Sequence, residues 1–178
     1  PDFHDTGKRY RNLVNAIAKD PKGRVKHLAE EIGFCRARRD ETYILTGKTV
    51  IGDLPLRVTH NDTKLNNILF DMDTNEGICV IDLDTIMPGL SLYDFGDAIR
   101  FGGNTTYEDD ENLDNVKISV ELFECFARGF LSSCAKALTK TEVDCLAFSA
   151  KLMTFECGVR FLTDYIDGDV YFKTKYPE

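Results

Sequence analysis

Apolar residues recur with a helical period over most of this chain. In residues 6–19, and again in residues 22–45, they return every three or four positions among charged residues, which predicts two amphipathic helices separated by Asp20-Pro21. The same period predicts a helix from near Tyr93 and a long helix over residues 114–138. We therefore expect most of the chain to be α-helical.

The last predicted helix has a signal at each end. It starts near Thr141, where Thr139 is followed three residues later by Glu142, which is the spacing of a capping box. Gly168 stands where a residue in the left-handed conformation would end the helix. These signals predict one long helix near the carboxyl end of the chain.

A different pattern interrupts the helices between residues 58 and 85. A short apolar run, a turn rich in Asp, Asn and Gly, and a second β-rich run together predict a β-hairpin. The predicted fold class is therefore α+β, mostly α-helical, with one central hairpin. A helical bundle has no structural need for such a hairpin, so we expect the loops at its base to carry chemistry.

Composition narrows the classes of function. The 178 residues suit one globular domain, and 30 acidic against 22 basic residues argue against a nucleic-acid-binding surface. No apolar run reaches membrane-spanning length and the first residues lack the apolar core of a signal peptide, so we expect no membrane partner and a cytoplasmic location. Six cysteines without a C-x-x-C pair predict reduced, packed thiols, with Cys125 and Cys134 among apolar neighbours on helices.

One group of polar residues has the spacing of phosphotransfer chemistry. His60, Asp62 and Asn67 form H-x-D-x-x-x-x-N directly before the first strand of the hairpin, and Asp82 follows the second strand within IDLD. Phosphoryl transfer needs a carboxylate that accepts or aligns the proton of the attacking hydroxyl, and oxygen ligands that hold magnesium. Because antiparallel pairing returns the chain, Asp82 is expected beside Asn67. We assign Asp62 as catalytic base, and Asn67 and Asp82 as magnesium ligands.

Neighbouring residues complete the predicted site. Lys64 can bring a positive charge to the migrating phosphoryl group, whose oxygens carry the developing negative charge. Asp84, also within IDLD, is a further candidate magnesium ligand. His60 and Asp94 are expected to support the loop from behind, Asp94 by accepting hydrogen bonds from its backbone. Taken singly, each of these residues also suits a packed, turn or capping role, and it is the combination between flanking strands that favours catalysis.

Two shorter motifs imitate phosphate or metal sites. Gly47-Lys48-Thr49 matches the end of a Walker A loop, but Thr42 occupies the position of its first glycine and the segment follows a predicted helix. Asp94-Phe95-Gly96 spells the magnesium motif of protein kinases, but it lies well beyond the hairpin after a Pro-Gly turn. Neither motif is assigned to phosphate or metal binding.

Three segments resemble a known superfamily of enzymes. They are THNDTKLNNILFD (59–71), VIDLDTIMPGLSLYDFGDAIRFG (80–102) and ECGVRFLTDYIDGDVYFK (156–173). The chain resembles the aminoglycoside phosphotransferase and choline kinase superfamily, and within it the N-acetylhexosamine 1-kinases. The resemblance implies that residues 1–178 form the carboxyl-terminal lobe of a protein-kinase-like fold. It also implies ATP and Mg²⁺ as cofactors and an amino sugar, phosphorylated on its anomeric hydroxyl, as substrate.

The resemblance implies substrate contacts as well. Besides Asp62, which meets the acceptor hydroxyl, Arg160 and Tyr171 match residues that contact the sugar in that family. From the residues alone, Arg160 can equally be a surface arginine and Tyr171 a packed aromatic.

One part of the family's machinery is missing from this sequence. There is no glycine-rich loop and no strand lysine paired with a helix glutamate, so we expect the nucleotide-binding, amino-terminal lobe to lie outside this chain and the chain to be inactive without it. The face that would meet that lobe is expected to be apolar and to promote self-association.

Other functions remain open at this point. The acceptor of a phosphotransferase with this loop can be an aminoglycoside, choline or homoserine instead of a hexosamine. A metal-dependent hydrolase would use a two-metal cluster of acidic side chains, namely Asp62, Asp82, Asp84 and Asp94. A non-catalytic lobe would bind a sugar or partner without turnover.

Overall fold

The computed structural model describes residues 3–106 and 110–172, in two compact units. Residues 52–154 form the central unit, and residues 3–51 together with residues 155–172 form the terminal unit. The described ranges are mostly helical, with small antiparallel sheets, an α+β class consistent with a kinase-like lobe. No helix within these ranges is long and apolar enough to cross a membrane.

The terminal unit is built on α1 (Thr6–Lys19), which matches the first predicted helix. The Asp5 carboxylate caps its amino end by accepting the Lys8 N–H at 2.8 Å, and Asp20 ends it with a left-handed φ of 38°. Its apolar stripe packs against α2 (Ala29–Ala37) and the second half of α6 (Lys140–Asp167). The buried core consists of Tyr10, Leu13, Ala16, Cys35, Val159 and Ile166.

The single helix predicted over residues 22–45 is wrong. The segment contains a 3₁₀ turn (Val25–His27), then α2 (Ala29–Ala37), a second 3₁₀ turn (Arg39–Tyr43) and α3 (Ile44–Val50). A 3₁₀ helix has about 3.0 residues per turn and an α-helix about 3.6, so short pieces of either produce nearly the same apolar spacing. Hydrophobic periodicity alone therefore did not separate them.

Two antiparallel strand pairs organise the central unit. β2 (Ile68–Phe70) pairs with β3 (Gly77–Val80), which confirms the predicted hairpin. A second pair, β1 (Arg57–Thr59) with β4 (Met87–Gly89), was not predicted. Pro88 concealed it, because Pro-Gly signals a turn although a proline is tolerated in an edge strand. Since β1 and β4 flank the hairpin in the chain, their pairing brings together the loops before and after it.

Helix α4 (Ser91–Gly102) approaches α6 closely at Gly96. A Cβ atom at this position would lie 2.6 Å from the Ser149 carbonyl oxygen and 2.6 Å from the Cγ of Met153. Only glycine fits without movement of the α6 backbone, so this glycine is required by packing. It sits two residues after Asp94, and the close approach therefore helps to place that side chain.

Helix α5 (Val120–Cys134) is shorter than the helix predicted over residues 114–138. The Ser119 hydroxyl caps its amino end by accepting a first-turn N–H at 3.2 Å, while residues 113–115 form a separate 3₁₀ turn. Phe123 and Phe130 hold α5 against Phe95 of α4, with ring centroids 6.0 and 5.2 Å from that of Phe95.

Helix α6 begins and ends as predicted. The Glu142 N–H donates to the Thr139 hydroxyl at 3.2 Å, and the Thr139 N–H donates to the Glu142 carboxylate at 2.7 Å, which is a capping box. Gly168 follows the last turn with φ 106°. The same Glu142 carboxylate accepts two hydrogen bonds from Arg57, at 2.6 and 2.7 Å, and one from Ser91 at 2.7 Å. It therefore joins α6 to β1 and α4.

The cysteines are all free thiols, as predicted, but not all are packed. Cys35 and Cys145 are buried, whereas Cys125 is exposed and Cys134 is half-buried. The prediction that these last two are core residues is wrong, because the apolar stripe of α5 is only partly covered.

Candidate functional site

The loop that precedes the hairpin is anchored by a buried asparagine. Asn61 has φ 66°, a left-handed conformation that asparagine tolerates better than most residues. Its amide donates to the carbonyls of Thr59 and Thr85, at 3.3 and 2.9 Å, and its oxygen accepts the Thr59 hydroxyl at 3.0 Å. This side chain therefore ties the end of β1 to the loop that follows β3.

Helix α4 provides hydrogen-bond acceptors for the backbone of this loop. Asp94 Oδ2 accepts the His60 N–H at 3.0 Å, and Asp94 Oδ1 accepts the Asn61 N–H at 2.7 Å. These are the hydrogen bonds predicted for Asp94. Since Asp94-Phe95-Gly96 lies inside a helix and this carboxylate faces the loop backbone, the segment is not arranged as a metal-binding motif.

Sequence analysis missed a second carboxylate on α4. Asp97 Oδ2 accepts the Thr63 N–H at 2.9 Å, and the Thr63 hydroxyl donates to the Asp94 carbonyl at 2.6 Å. A spacing of three residues puts Asp94 and Asp97 on one face of the helix. That spacing is the signal from which Asp97 could have been identified.

The imidazole of His60 connects the two loops of the site. Its Nδ1 accepts the Asp62 N–H at 3.3 Å, and its Nε2 lies 3.0 Å from the Ile81 carbonyl oxygen. Both contacts are hydrogen bonds only when the ring is neutral with its proton on Nε2. In that tautomer His60 links the backbone of Asp62 to the residue before Asp82.

Three polar side chains meet at the start of the hairpin. The Asn67 amide nitrogen donates to the Asp62 carboxylate and to the Asp62 carbonyl, each at 2.8 Å. The Lys64 ammonium lies 3.0 Å from the same carboxylate. The Asp62 side chain is still 25% exposed and that of Lys64 34%, so both groups are accessible to a ligand.

The end of β3 brings two further carboxylates to this site. The Ile81 N–H donates to the Asn67 carbonyl at 2.9 Å, which puts Asp82 one residue beyond the partner of Asn67. A hydrogen bond between the carboxyl groups of Asp82 and Asp84 is the main cause of a raised pKa of Asp82. The negative charge of Asp62 acts in the same direction, whereas the Lys64 ammonium opposes it.

These oxygen donors suit a hard divalent cation. Asn67 uses its nitrogen to bond Asp62, so its amide oxygen is the atom that would face a cation. Asp82 and Asp84 are exposed carboxylates whose mutual repulsion a cation would relieve. Protein sites for Mg²⁺ commonly supply only one or two carboxylates, and substrate phosphates and water complete the coordination.

The acidic cluster that a two-metal hydrolase would need is not formed. Among the residues that the structure describes, no group of three or more His, Cys, Asp or Glu side chains is arranged to hold a metal ion. Asp94 accepts hydrogen bonds from the loop backbone. The four aspartates are therefore not gathered into one cluster among the described residues.

The Walker-like segment does not have the geometry of a phosphate-binding loop. Gly47-Lys48-Thr49 lies within α3, in the terminal unit, and the Thr49 hydroxyl donates to the Leu45 carbonyl at 3.0 Å. The segment is therefore helical and not a phosphate-cradling turn.

Arg160 and Tyr171 both belong to the terminal unit, whereas Asp62 belongs to the central unit. The two side chains gather around Phe172, with the Arg160 guanidinium carbon 5.5 Å and the Tyr171 ring centroid 4.8 Å from the Phe172 ring. Asp164, which sequence analysis also missed, accepts the N–H groups of Tyr171 and Phe172, each at 2.8 Å. This carboxylate fixes the turn after α6 and hence the position of Tyr171.

A comparison with known protein families identifies the class of this protein. The profile of the phosphotransferase enzyme family (APH) matches residues 2–117, well over half of the chain. The matched residues include the loop of His60, Asp62 and Asn67, the hairpin, and α4 with Asp94 and Asp97. The chain belongs to the phosphotransferase enzyme family. Membership indicates a kinase-type enzyme, and such enzymes generally use ATP and Mg²⁺.

Proposed function

We propose that this chain is the catalytic lobe of an ATP- and Mg²⁺-dependent kinase that phosphorylates a small-molecule hydroxyl, with Asp62 as base. The observation that carries the proposal is the pair of 2.8 Å hydrogen bonds from the Asn67 amide to Asp62. They join the candidate base to a candidate metal ligand, as transfer between a hydroxyl and a metal-bound phosphate requires.

The side chains at this site divide the chemical work. Asp62 is partly exposed and accepts or aligns the proton of the attacking hydroxyl. The Lys64 ammonium, paired with Asp62 at 3.0 Å, is close enough to stabilise negative charge on the transferred phosphoryl group. His60 and Asp94 hold the backbone of the loop through hydrogen bonds. Asn67 orients the carboxylate of Asp62 by donating a hydrogen bond to it.

Asn67 and Asp82 are the proposed magnesium ligands, with Asp84 as a further one. These residues would hold Mg²⁺, which would neutralise the negative charge that develops during phosphoryl transfer. The raised pKa of Asp82, caused first by its hydrogen bond with Asp84, supports this assignment because it marks close carboxylates whose charge the Lys64 ammonium offsets only in part.

We further propose that ATP is held against this lobe by a separate nucleotide-binding lobe, in the cytoplasm. No glycine-rich phosphate loop occurs in the 178 residues, and the site described above supplies catalytic and metal-binding groups only. Addition of such a lobe, covalently or in trans, is expected to restore turnover to a chain that is inactive alone.

The proposed acceptor is the anomeric hydroxyl of an N-acetylhexosamine. The resemblance of residues 156–173 to kinases of these sugars supports it, together with the grouping of Arg160 and Tyr171 around Phe172. A guanidinium and a phenol supply donors for sugar hydroxyl and acetamide oxygens, and the aromatic ring supplies an apolar face.

The test is phosphate transfer from ATP labelled in its γ-phosphate by the full-length protein. N-acetylglucosamine and N-acetylgalactosamine are compared with choline, homoserine and an aminoglycoside, and Asp62→Asn serves as the inactive control. The proposal predicts that the wild type forms labelled hexosamine phosphate and that Asp62→Asn does not. Arg160→Ala should raise the KM for the sugar but not the KM for ATP. Transfer to another acceptor would refute the hexosamine assignment, and absence of transfer to any acceptor would refute the kinase.

A further inference from the structure

We propose that Asp97, paired with Arg100, is a positioning residue that orients the carboxylate of Asp62 through the peptide bond between Asp62 and Thr63. The inference rests on the proposed function, in which Asp62 is the base. It explains why α4 directs a second carboxylate, which is buried, towards a loop that Asp94 already supports.

The peptide between Asp62 and Thr63 is hydrogen-bonded at both of its polar atoms. Its N–H donates to Asp97 Oδ2 at 2.9 Å, and its C=O accepts from the Asn67 amide at 2.8 Å. A peptide group is planar, so opposed hydrogen bonds at its two polar atoms resist its rotation. Because this rotation turns the backbone next to the Asp62 side chain, the two bonds together set the direction in which the carboxylate points.

The preceding N–H groups of this loop donate to acceptors other than Asp97. The N–H groups of His60 and Asn61 donate to Asp94, and the N–H of Asp62 donates to the His60 imidazole. Asp94 therefore holds the peptides that precede the base. Asp97 holds the peptide that follows the base and leads to Lys64.

The Arg100 guanidinium pairs with the Asp97 carboxylate and fixes its orientation. Asp97 is 4% exposed, and a buried carboxylate is costly unless it is paired and hydrogen-bonded. The Arg100 Nε–H donates to Asp97 Oδ1 at 2.9 Å, which leaves Oδ2 for the Thr63 N–H. An N–H bond to an ionised acceptor is stronger than one to a neutral amide. The pair therefore holds the Asp62–Thr63 peptide more firmly than a neutral side chain would.

The test compares Asp97→Asn and Asp62→Asn, alone and combined, in the full-length protein. Asp97→Asn preserves side-chain shape but removes the charge, and it turns its amide nitrogen, a donor, towards either the Thr63 N–H or the Arg100 Nε–H, which are both donors. We expect the kcat of Asp97→Asn to fall about 10–100-fold, the usual effect of removing a group that orients a catalytic residue. The KM for ATP should stay within about twofold, because ATP binding does not use this contact.

The double variant separates positioning from a purely structural role. If Asp97 acts through Asp62, single-turnover assays of Asp62→Asn should show no further loss when Asp97→Asn is added. A role limited to stability would lower activity by the same factor in both backgrounds. Asp144→Asn, at a surface ion pair with Lys140 on α6, is the matched control and should leave kcat unchanged.

A second variant covers the case in which Asp97→Asn fails to fold. Arg100→Gln keeps the Asp97 carboxylate but removes its guanidinium partner. We expect this variant to lower kcat as much as Asp97→Asn does, and to cause no further loss in the Asp62→Asn background. The inference is overturned if folded Asp97→Asn or Arg100→Gln has an unchanged kcat. It is also overturned if either variant lowers activity by the same factor in the Asp62→Asn background as in the wild type. If Asp62→Asn itself retains wild-type turnover, the proposed function fails as well, so the two failures are distinguishable.

Discussion

Asn67 donates hydrogen bonds to both the carboxylate and the main-chain carbonyl of Asp62, each at 2.8 Å. Asn67 immediately precedes β2, so these bonds tie the candidate base to the first strand of the hairpin. The partner strand β3 ends just before Asp82. The distance between the candidate base and a candidate metal ligand is therefore set by the pairing register of one short hairpin.

Asp62→Asn in the full-length protein is expected to lower kcat about a thousandfold or more while leaving the Kd for ATP nearly unchanged, because the lost interaction serves the transition state. Steady-state assays give kcat and calorimetric titration gives the Kd. Asp73→Asn, in the exposed turn of the hairpin, is the control and should behave as wild type. Turnover within a few fold of wild type would remove Asp62 from the mechanism.

Asp82→Ala and Asp94→Ala should separate metal binding from loop support. We expect Asp82→Ala to abolish Mg²⁺-dependent nucleotide binding with little change in Tm, since Asp82 is exposed. Asp94→Ala removes the acceptors of two loop N–H groups and should lower Tm while preserving most of the metal affinity. Thermal melts with and without Mg²⁺-nucleotide measure both effects. An equal loss of metal binding in the two variants would contradict the assignment.

Glu142→Gln should destabilise the chain at neutral pH and much less in acid. Hydrogen bonds from Arg57 are the main reason that the pKa of Glu142 falls from 4.5 to about 2 in the folded protein. A lowered folded pKa means that the ionised carboxylate contributes stability above pH 4.5, and that this contribution is lost as the pH falls towards 2. At pH 7 we expect a loss of about 3 kcal/mol in the free energy of unfolding, since the variant leaves the Arg57 guanidinium without its carboxylate partner.

Urea titrations of the wild type and Glu142→Gln at several pH values measure this difference. The exposed Glu124→Gln on α5 controls for general charge effects and should give no such pH dependence. If the stability difference stayed constant from pH 7 to pH 3, the ionised Glu142 carboxylate would not be the source of this stability.

Gly96→Ala should lower the free energy of unfolding by about 1–3 kcal/mol through overpacking. The new methyl group would lie 2.6 Å from the Ser149 carbonyl oxygen, an atom of the α6 backbone that cannot move easily. Gly129→Ala, in α5, places its methyl group in open space and should stabilise the helix by about 0.5–1 kcal/mol. Chemical denaturation of both variants tests the pair. Equal effects would show that α4 and α6 adjust freely at Gly96.

The chain is expected to self-associate through the β2–β3 hairpin. Every residue of β3 is exposed, including Ile78 at 64% and Val80 at 53%, and Phe70 of β2 is 45% exposed. Apolar strands with uncovered faces and edges promote association. Ile78→Thr with Val80→Thr keeps β propensity and should shift the chain towards monomer in analytical ultracentrifugation. A wild-type chain that stays monomeric at high concentration would contradict this prediction.

Local signals were sufficient for some contacts at the site. The spacing of His60, Asp62 and Asn67 before an apolar run predicted a loop entering a strand, and the turn residues predicted the hairpin that returns Asp82. Asp94 was expected to bond the loop backbone because its position after the Pro-Gly turn suited support more than metal binding. Asp97 was missed, because its relation to Thr63 depends on how α4 lies against the loop.

Local sequence signals were enough to predict α1, the β2–β3 hairpin and both ends of α6, because caps, turn residues and hydrophobic period act between neighbours in the chain. The β1–β4 pairing and the breaks between residues 22 and 45 follow only from tertiary packing. Pairing β1 with β4 depends on two strands that are distant in sequence, and a Pro-Gly pair disguises one of them. The breaks depend on which apolar positions the core covers, and short 3₁₀ and α segments present almost the same spacing of those positions. The contacts of Asp97 with Thr63 and of Glu142 with Arg57 likewise form only when separate elements pack together.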